Sequence, residues 1–235
     1  MKKRDDINRF ALLDYNFASF EPGMRVVDIG CGKGSQLQEL VSRGCSAIGL
    51  DPNHDRLRTC AESGLEVVAG HVEQMPFADK SFDGLICKVT IPYTTEPLAF
   101  REIARVLKPG GTAQFVYMGA GFYLRLLLLG SGGLVKQRSY GLKTFLNTWF
   151  FAMTGRALPA FLGDTLYQSR RRLRKYYAAN RMTLVRETPS QTFFGLPVFI
   201  YHCVQTRQRV AVKPIREENK KDEKDEAAVR IHVAS

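Results

Sequence analysis

Apolar and polar positions change rhythm several times along these 235 residues. Short apolar runs at 25–30, 46–51, 66–70, 82–89 and 112–118 read as strands. Between them the spacing turns helical: Leu37, Leu40 and Val41 recur on one face, and helices are predicted near 35–43, 54–63 and 96–107. The last of these starts after Thr95, a residue suited to N-capping. Pro97 is tolerated in its first turn, and Lys108-Pro109-Gly110-Gly111 stops it. Strands alternating with helices predict an α/β fold with a doubly wound parallel sheet. Right-handed crossovers then gather the connecting loops at the strand C-termini.

The glycine-rich turn after the first strand carries the candidate chemistry. Val26-Val27-Asp28-Ile29-Gly30-Cys31-Gly32-Lys33-Gly34 is a strand that turns at once into a helix. Glycines let such a turn lie directly against a ligand. Dinucleotide sites use G-x-G-x-x-G, but here Ser35 stands where the third glycine of that pattern belongs. Asp28, two residues before the first glycine, would repel a pyrophosphate and attract an ammonium group. Asp51 closes the second strand at the spacing of an acid that holds ribose hydroxyls. The ligand should therefore carry a ribose and a cation and needs no phosphate. S-adenosyl-L-methionine meets that description.

Val26 to Gly34 resembles motif I of class I S-adenosylmethionine-dependent methyltransferases, and Asp51-Pro52 their ribose-binding tip. Gly70-His71-Val72-Glu73-Gln74-Met75-Pro76-Phe77 with Ser81-Phe82-Asp83 resembles their adenine-side loop and fourth strand. Leu107-Lys108-Pro109-Gly110-Gly111 resembles the turn before their fifth strand. The resemblance spans residues 24–118 and points to the small-molecule branch. It implies a Rossmann-like seven-stranded sheet, with strands near 182–187 and 197–206 closing it as an antiparallel pair. It implies a cofactor site of Asp28, Gly30, Cys31, Gly32, Gly34, Asp51, Pro52, His71, Val72, Glu73 and Lys88. Two positions depart from the pattern. His71 stands where the family usually has an acid, and Pro92-Tyr93 where many members have a His pair. Tyr93 is then the candidate for orienting or deprotonating the acceptor, with an aromatic pocket wall as the other reading. No metal site is expected.

Charge changes the picture after the fifth strand. Residues 1–118 hold 14 Lys and Arg against 15 Asp and Glu, whereas residues 119–186 hold 12 against 1. The overall formal charge is +11. The segment 119–163 adds two apolar stretches, 123–129 and 145–153, the second with the chain's single tryptophan. It reads as an insertion in a methyltransferase domain spanning 1–206. Either it is a cap with a basic outer face, or it is an interfacial element. An interfacial element would touch anionic membrane, or bind a lipid-like or anionic acceptor. Arg170-Arg171-Arg172-Leu173-Arg174-Lys175 lies on a helix expected near 164–180; it could meet phosphates, but no recognised nucleic-acid motif accompanies it.

Residues 1–23 read as a helical lead-in that helps cover the cleft, and 207–235 as a charged, disordered tail. His202 reads as a packed residue. Five scattered cysteines and the lack of a signal-like or membrane-spanning apolar run suggest a cytoplasmic protein, with peripheral membrane contact as an option. The expected function is methyl transfer from S-adenosylmethionine to a small-molecule or lipid-like acceptor. The alternatives are an RNA or protein methyltransferase, or a non-catalytic binder of the same cofactor.

Overall fold

In the computed structural model, which describes residues 20–129, 134–154, 168–189 and 191–207, the apolar runs form one sheet. Its first five strands are β1 (Arg25–Ile29), β2 (Ser46–Asp51), β3 (Val67–Ala69), β4 (Phe82–Lys88) and β5 (Leu107–Met118). Two further strands, β6 (Met182–Pro189) and β9 (Phe199–Thr206), complete the order β3-β2-β1-β4-β5-β9-β6. β9 runs antiparallel to both β5 and β6, and the remaining pairs are parallel. Between β6 and β9 a two-stranded hairpin intervenes, β7 (Thr192–Phe193) with β8 (Leu196–Pro197).

Helices cover both faces, which is why the central strands are apolar almost throughout. Helices α1 (Ser35–Ser42) and α2 (His54–Glu62) pack Leu37, Leu40 and Cys60 against Val26 and Ile86 on one face. On the other, α3 (Glu96–Val106) and α6 (Arg170–Ala179) place Phe100, Ile103, Leu173 and Tyr177 over Val27, Leu85 and Phe115. Helices α4 (Ala120–Leu128) and α5 (Leu134–Thr154) follow β5 and pack Tyr123 and Phe145 with Val116 and Phe199. They meet closely at Gly141, where a Cβ would lie 2.8 Å from the Tyr123 carbonyl oxygen.

Several boundaries differ from the sequence expectation, each for a local reason. β5 begins at Leu107 rather than 112, because Leu107 already pairs with Phe82. The next partners are Gly84 and Thr112, so residues 108–111 bulge out between two registers. α6 starts at Arg170, where Ser169 Oγ accepts the Arg172 N–H at 3.3 Å. Thr95 precedes α3 without a side-chain cap; Glu73 Oε1 instead accepts the Thr95 N–H at 2.9 Å. Residues 1–19, 130–133, 155–167, 190 and 208–235 lie outside the described residues. They include most of the expected lead-in, the end of the insertion and nearly all of the tail. Of the lead-in, Phe20 fills the space against Gly84, on the α1 face of the sheet.

Candidate active site

The C-terminal ends of β1, β2 and β4 open into a cleft of about 610 Å³, within the size range of small-molecule sites. Gly30 forms its floor. Its φ of +70° suits glycine, and the Thr90 side chain stands where a Cβ would point. Thr90 Oγ1 donates to the Ile29 carbonyl at 3.2 Å and so ties the tip of β4 to the tip of β1.

Asp51 organises the loop above β1. Its side chain is 3% exposed. Oδ2 accepts the Gly32 N–H at 3.0 Å and Oδ1 the Asn53 N–H at 2.8 Å. Arg56, from the first turn of α2, brings its guanidinium to 3.6 Å from Oδ2 and also lines the cleft. The carboxylate thus holds the glycine loop while bordering open space that hydroxyl donors could enter.

Asp28 lies deeper, on the α1 face of β1. Its Oδ2 is buried and has no hydrogen-bond partner among the described residues. Burial pushes its carboxyl up to about 7, against the pull of the nearby Lys88 ammonium. Burial also lowers Lys88, while Asp28 and Glu39 hold it up. An unsatisfied buried carboxylate oxygen costs free energy unless a donor or cation reaches it. It is the structure's clearest invitation to a cationic ligand.

The chain leaves β4 through a strained residue. Val89 has φ of +56°, rare for a β-branched side chain, and is held there by its N–H bond to the Val116 carbonyl at 2.9 Å. A 3-10 turn, Ile91–Tyr93, follows. Tyr93 lines the cleft, is 58% exposed, and sets its hydroxyl 3.4 Å from that of Tyr140 on α5. Through Tyr140 the segment after β5 thus touches a residue of the cleft wall.

Of the expected site residues, Gly30, Asp51, Pro52, His71, Val72, Glu73, Lys88 and Tyr93 line this cleft. Asp28, Cys31, Gly32 and Gly34 form its foundation rather than its wall. Gly32 donates to Asp51, and Gly34 caps α1. Cys31 is buried against Gly49, with its thiol pushed well up by burial, which removes it as a nucleophile. Sequence reasoning missed Asn53, Arg56, Val89 and Thr90. Arg56 had a readable signal, since it sits in the first helical turn after the acidic tip. Thr90 had none, because its role depends on two strand ends meeting. Among the described residues no group of three or more His, Cys, Asp or Glu is placed to hold a metal ion.

Comparison with known proteins bears on the family and the fold. Residues 27–115 match the family described as a methyltransferase domain. A fatty-acid O-methyltransferase of Mycolicibacterium smegmatis is 32% identical over 130 residues, covering 51% of this chain and 47% of that protein. A ubiquinone biosynthesis O-methyltransferase of Methylococcus capsulatus is 30% identical over 134 residues, covering 53% and 56%. The chain thus spans about half the length of these two curated relatives. A SAM-dependent methyltransferase structure from Methanosarcina mazei superposes with a TM-score of 0.58 at 22% identity, over 83% of this chain and 96% of that one. Residues 27–115 therefore carry a methyltransferase domain, and S-adenosylmethionine is the cofactor of the methyltransferases it resembles.

Proposed function

We propose that this protein transfers a methyl group from S-adenosylmethionine to a lipid-like or other small apolar acceptor. The carrying observation is the pairing of Asp51 at the cleft rim with the orphaned carboxylate oxygen of Asp28 beneath it. In this reading Asp51 receives the ribose hydroxyls and Asp28 faces the ammonium group. Gly30, Cys31, Gly32 and Gly34 supply close backbone, Pro52, Val72 and His71 flank the adenine, and Glu73 anchors that loop to α3. Lys88 contributes backbone near the methionine end. When bound, the cofactor supplies an electrophilic methyl group; the protein's task is alignment, which can account for about 7–11 kcal/mol of such a barrier.

The acceptor end supports a nucleophile that needs little help. Val89, Thr90, Tyr93 and Thr94 border it, and none is a strong base at neutral pH. An ionised carboxylate arrives already deprotonated, whereas an alcohol requires its proton removed. Names of relatives that act on fatty acids and quinone precursors point the same way. A lipid-like acceptor is met at a bilayer, and the excess of cations after β5 favours an anionic one.

Calorimetry with S-adenosylhomocysteine, followed by transfer from labelled cofactor to long-chain fatty acids and phenolic quinone precursors in micelles, tests the proposal. Tight product binding with methylation of one of these acceptors is the expected result. Binding without transfer to any of them would overturn the lipid-like acceptor and leave the RNA, protein and non-catalytic readings, and absence of binding would remove all of them.

A further inference from the structure

Helix α5 is inside out. Its polar residues Thr144 and Asn147 are 1% and 0% exposed. Its apolar residues Leu142, Leu146, Trp149 and Met153 are 48%, 51%, 66% and 71% exposed. These four recur at i, i+4, i+7 and i+11, so at about 100° per residue they share an arc of roughly 60°. A helix packed for its own stability would turn this stripe toward the core. Contiguous exposed apolar surface marks an interaction site.

The helix that carries the stripe is cationic in sequence. The helix sequence contains Lys136, Arg138 and Lys143 and no Asp or Glu, and Lys143 is exposed between Leu142 and Leu146. Helix α6 is tied to the last third of α5 by Arg172. Its guanidinium sits 5.2 Å from the Phe151 ring centroid and pairs with Glu96 at 2.9 Å. From α6, Arg171, Arg174 and Lys175 are exposed and have no ion-pair partner among the described residues. At its other end α5 carries Tyr140, whose hydroxyl meets that of Tyr93 at the cleft. Among the described residues no helix is long and apolar enough to cross a membrane. A basic, apolar-faced helix of this kind lies in the interface plane.

We propose that the exposed face of α5 docks the protein on an anionic bilayer. Leu142, Leu146, Trp149 and Met153 enter the headgroup boundary, and the exposed Lys143 faces lipid phosphates. Tyr140, two residues before Leu142, links the docked helix to Tyr93 at the cleft. This deepens the lipid-acceptor reading and rests on it for its purpose, although docking itself needs no cofactor. Charge argues against a second copy as the occupant: a two-fold contact through this face would offer Lys143 no acidic partner, since the helix contains no Asp or Glu.

Trp149 is the chain's single tryptophan, so its emission reports on this face alone. The full chain is titrated with phosphatidylcholine vesicles, with and without one quarter phosphatidylglycerol, at low and high salt. The expected result is a blue shift with the anionic vesicles, quenching by brominated acyl chains, and at least tenfold weaker binding to neutral vesicles or in high salt. The double variant Leu146→Asp/Met153→Asp should lose vesicle binding, retain the circular dichroism of the wild type, and bind S-adenosylhomocysteine unchanged. Unaltered emission with anionic vesicles, or vesicle binding retained by the double variant, overturns the proposal. So does a concentration-dependent dimer in sedimentation that the double variant abolishes, which would assign the face to a second copy. Product binding read on the same samples separates this outcome from failure of the methyltransferase reading.

Discussion

From β1 to the start of β5 several charged side chains are built into partnered clusters; after β5 many of them meet solvent. Asp51 accepts two backbone N–H groups and faces Arg56, and Asp83 accepts both the Arg25 N–H and the Lys108 ammonium. Arg105 binds Glu102, Asp79 and two carbonyls. On α6, by contrast, Arg171, Arg174 and Lys175 project without ion-pair partners among the described residues, and α5 shows solvent its apolar side. The first region leaves the buried Asp28 Oδ2 without a hydrogen-bond partner among the described residues. The second leaves a whole surface unfinished. An unfinished atom calls for a small ligand; an unfinished surface calls for an extended one.

The sharpest way to break this contrast is at Asp51. Asp51→Ala removes the acceptor for the Gly32 and Asn53 N–H groups as well as the proposed ribose contact. S-adenosylhomocysteine binding should weaken roughly 100-fold, about 3 kcal/mol, with a lower melting temperature. Calorimetry showing affinity within threefold of wild type would place the ligand elsewhere.

The finished character of the sheet beyond β5 can be probed through His202. The ring is fully buried, with Nδ1 2.8 Å from the Tyr177 hydroxyl, which in turn lies 2.9 Å from that of Tyr117. Glu187 comes within 3.5 Å of Nε2, but it already pairs with Arg170 at 2.6 Å and is thereby neutralised. Burial, aided by Arg170 and Arg174, lowers His202 to about 4. The folded state therefore binds fewer protons than the unfolded chain between about 4 and 6.5. Stability is full above the unfolded value and falls as pH drops through that window. Relative to His202→Asn, wild-type stability in denaturant melts should fall by about 2 kcal/mol between pH 7 and 5, a difference that leaves out the opposite trend set by Asp28. An identical pH dependence in the variant would move the effect to another group.

These two tests also mark what the chain discloses by itself. Asp51 was legible because its place follows from a strand, a turn and a fixed spacing, all local in sequence. The five strands and their parallel arrangement were legible for the same reason. Thr90 was not, because its bond to the Ile29 carbonyl exists only once β1 and β4 lie side by side. Nor was the cap on α3, where Glu73 reaches across 22 residues and a plausible Thr95 goes unused. The composition of α5 flagged an apolar, basic element. Only the packing reveals that Thr144 and Asn147 point inward and Trp149 outward, since the spacing alone fits either orientation.

Asp28 sharpens the contrast through pH. Its carboxyl is raised to about 7, so the folded protein holds a proton that the unfolded chain releases near 4. Its contribution to stability is greatest in acid and declines as pH rises toward 7. A cationic ligand requires the ionised form. Affinity for S-adenosylhomocysteine should therefore increase about tenfold from pH 6 to 8, against the trend in stability. Asp28→Asn keeps the shape, removes the charge, and should bind weakly with little pH dependence. A wild-type affinity that is flat across this range would detach Asp28 from the ligand.

The smallest effect is expected where the two regions touch. Tyr93 comes from the end of β4 and Tyr140 from α5, and their hydroxyls stand 3.4 Å apart, a long contact even for a hydroxyl pair. If the pair only shapes the wall between cleft and helix, Tyr93→Phe keeps the ring and loses one weak bond. The rate constant kcat should then change by no more than about threefold, or under 1 kcal/mol. Tyr93→Ala, which opens the wall, should instead raise KM for the acceptor while leaving product affinity unchanged. Were Tyr93 a general base, Phe would cost about 100-fold or more in kcat, and the rate would climb with pH toward the ordinary phenol range. The two variants together separate a wall from a base. A wall is what a donor site completed by the sheet and an acceptor site delivered by α5 would need between them.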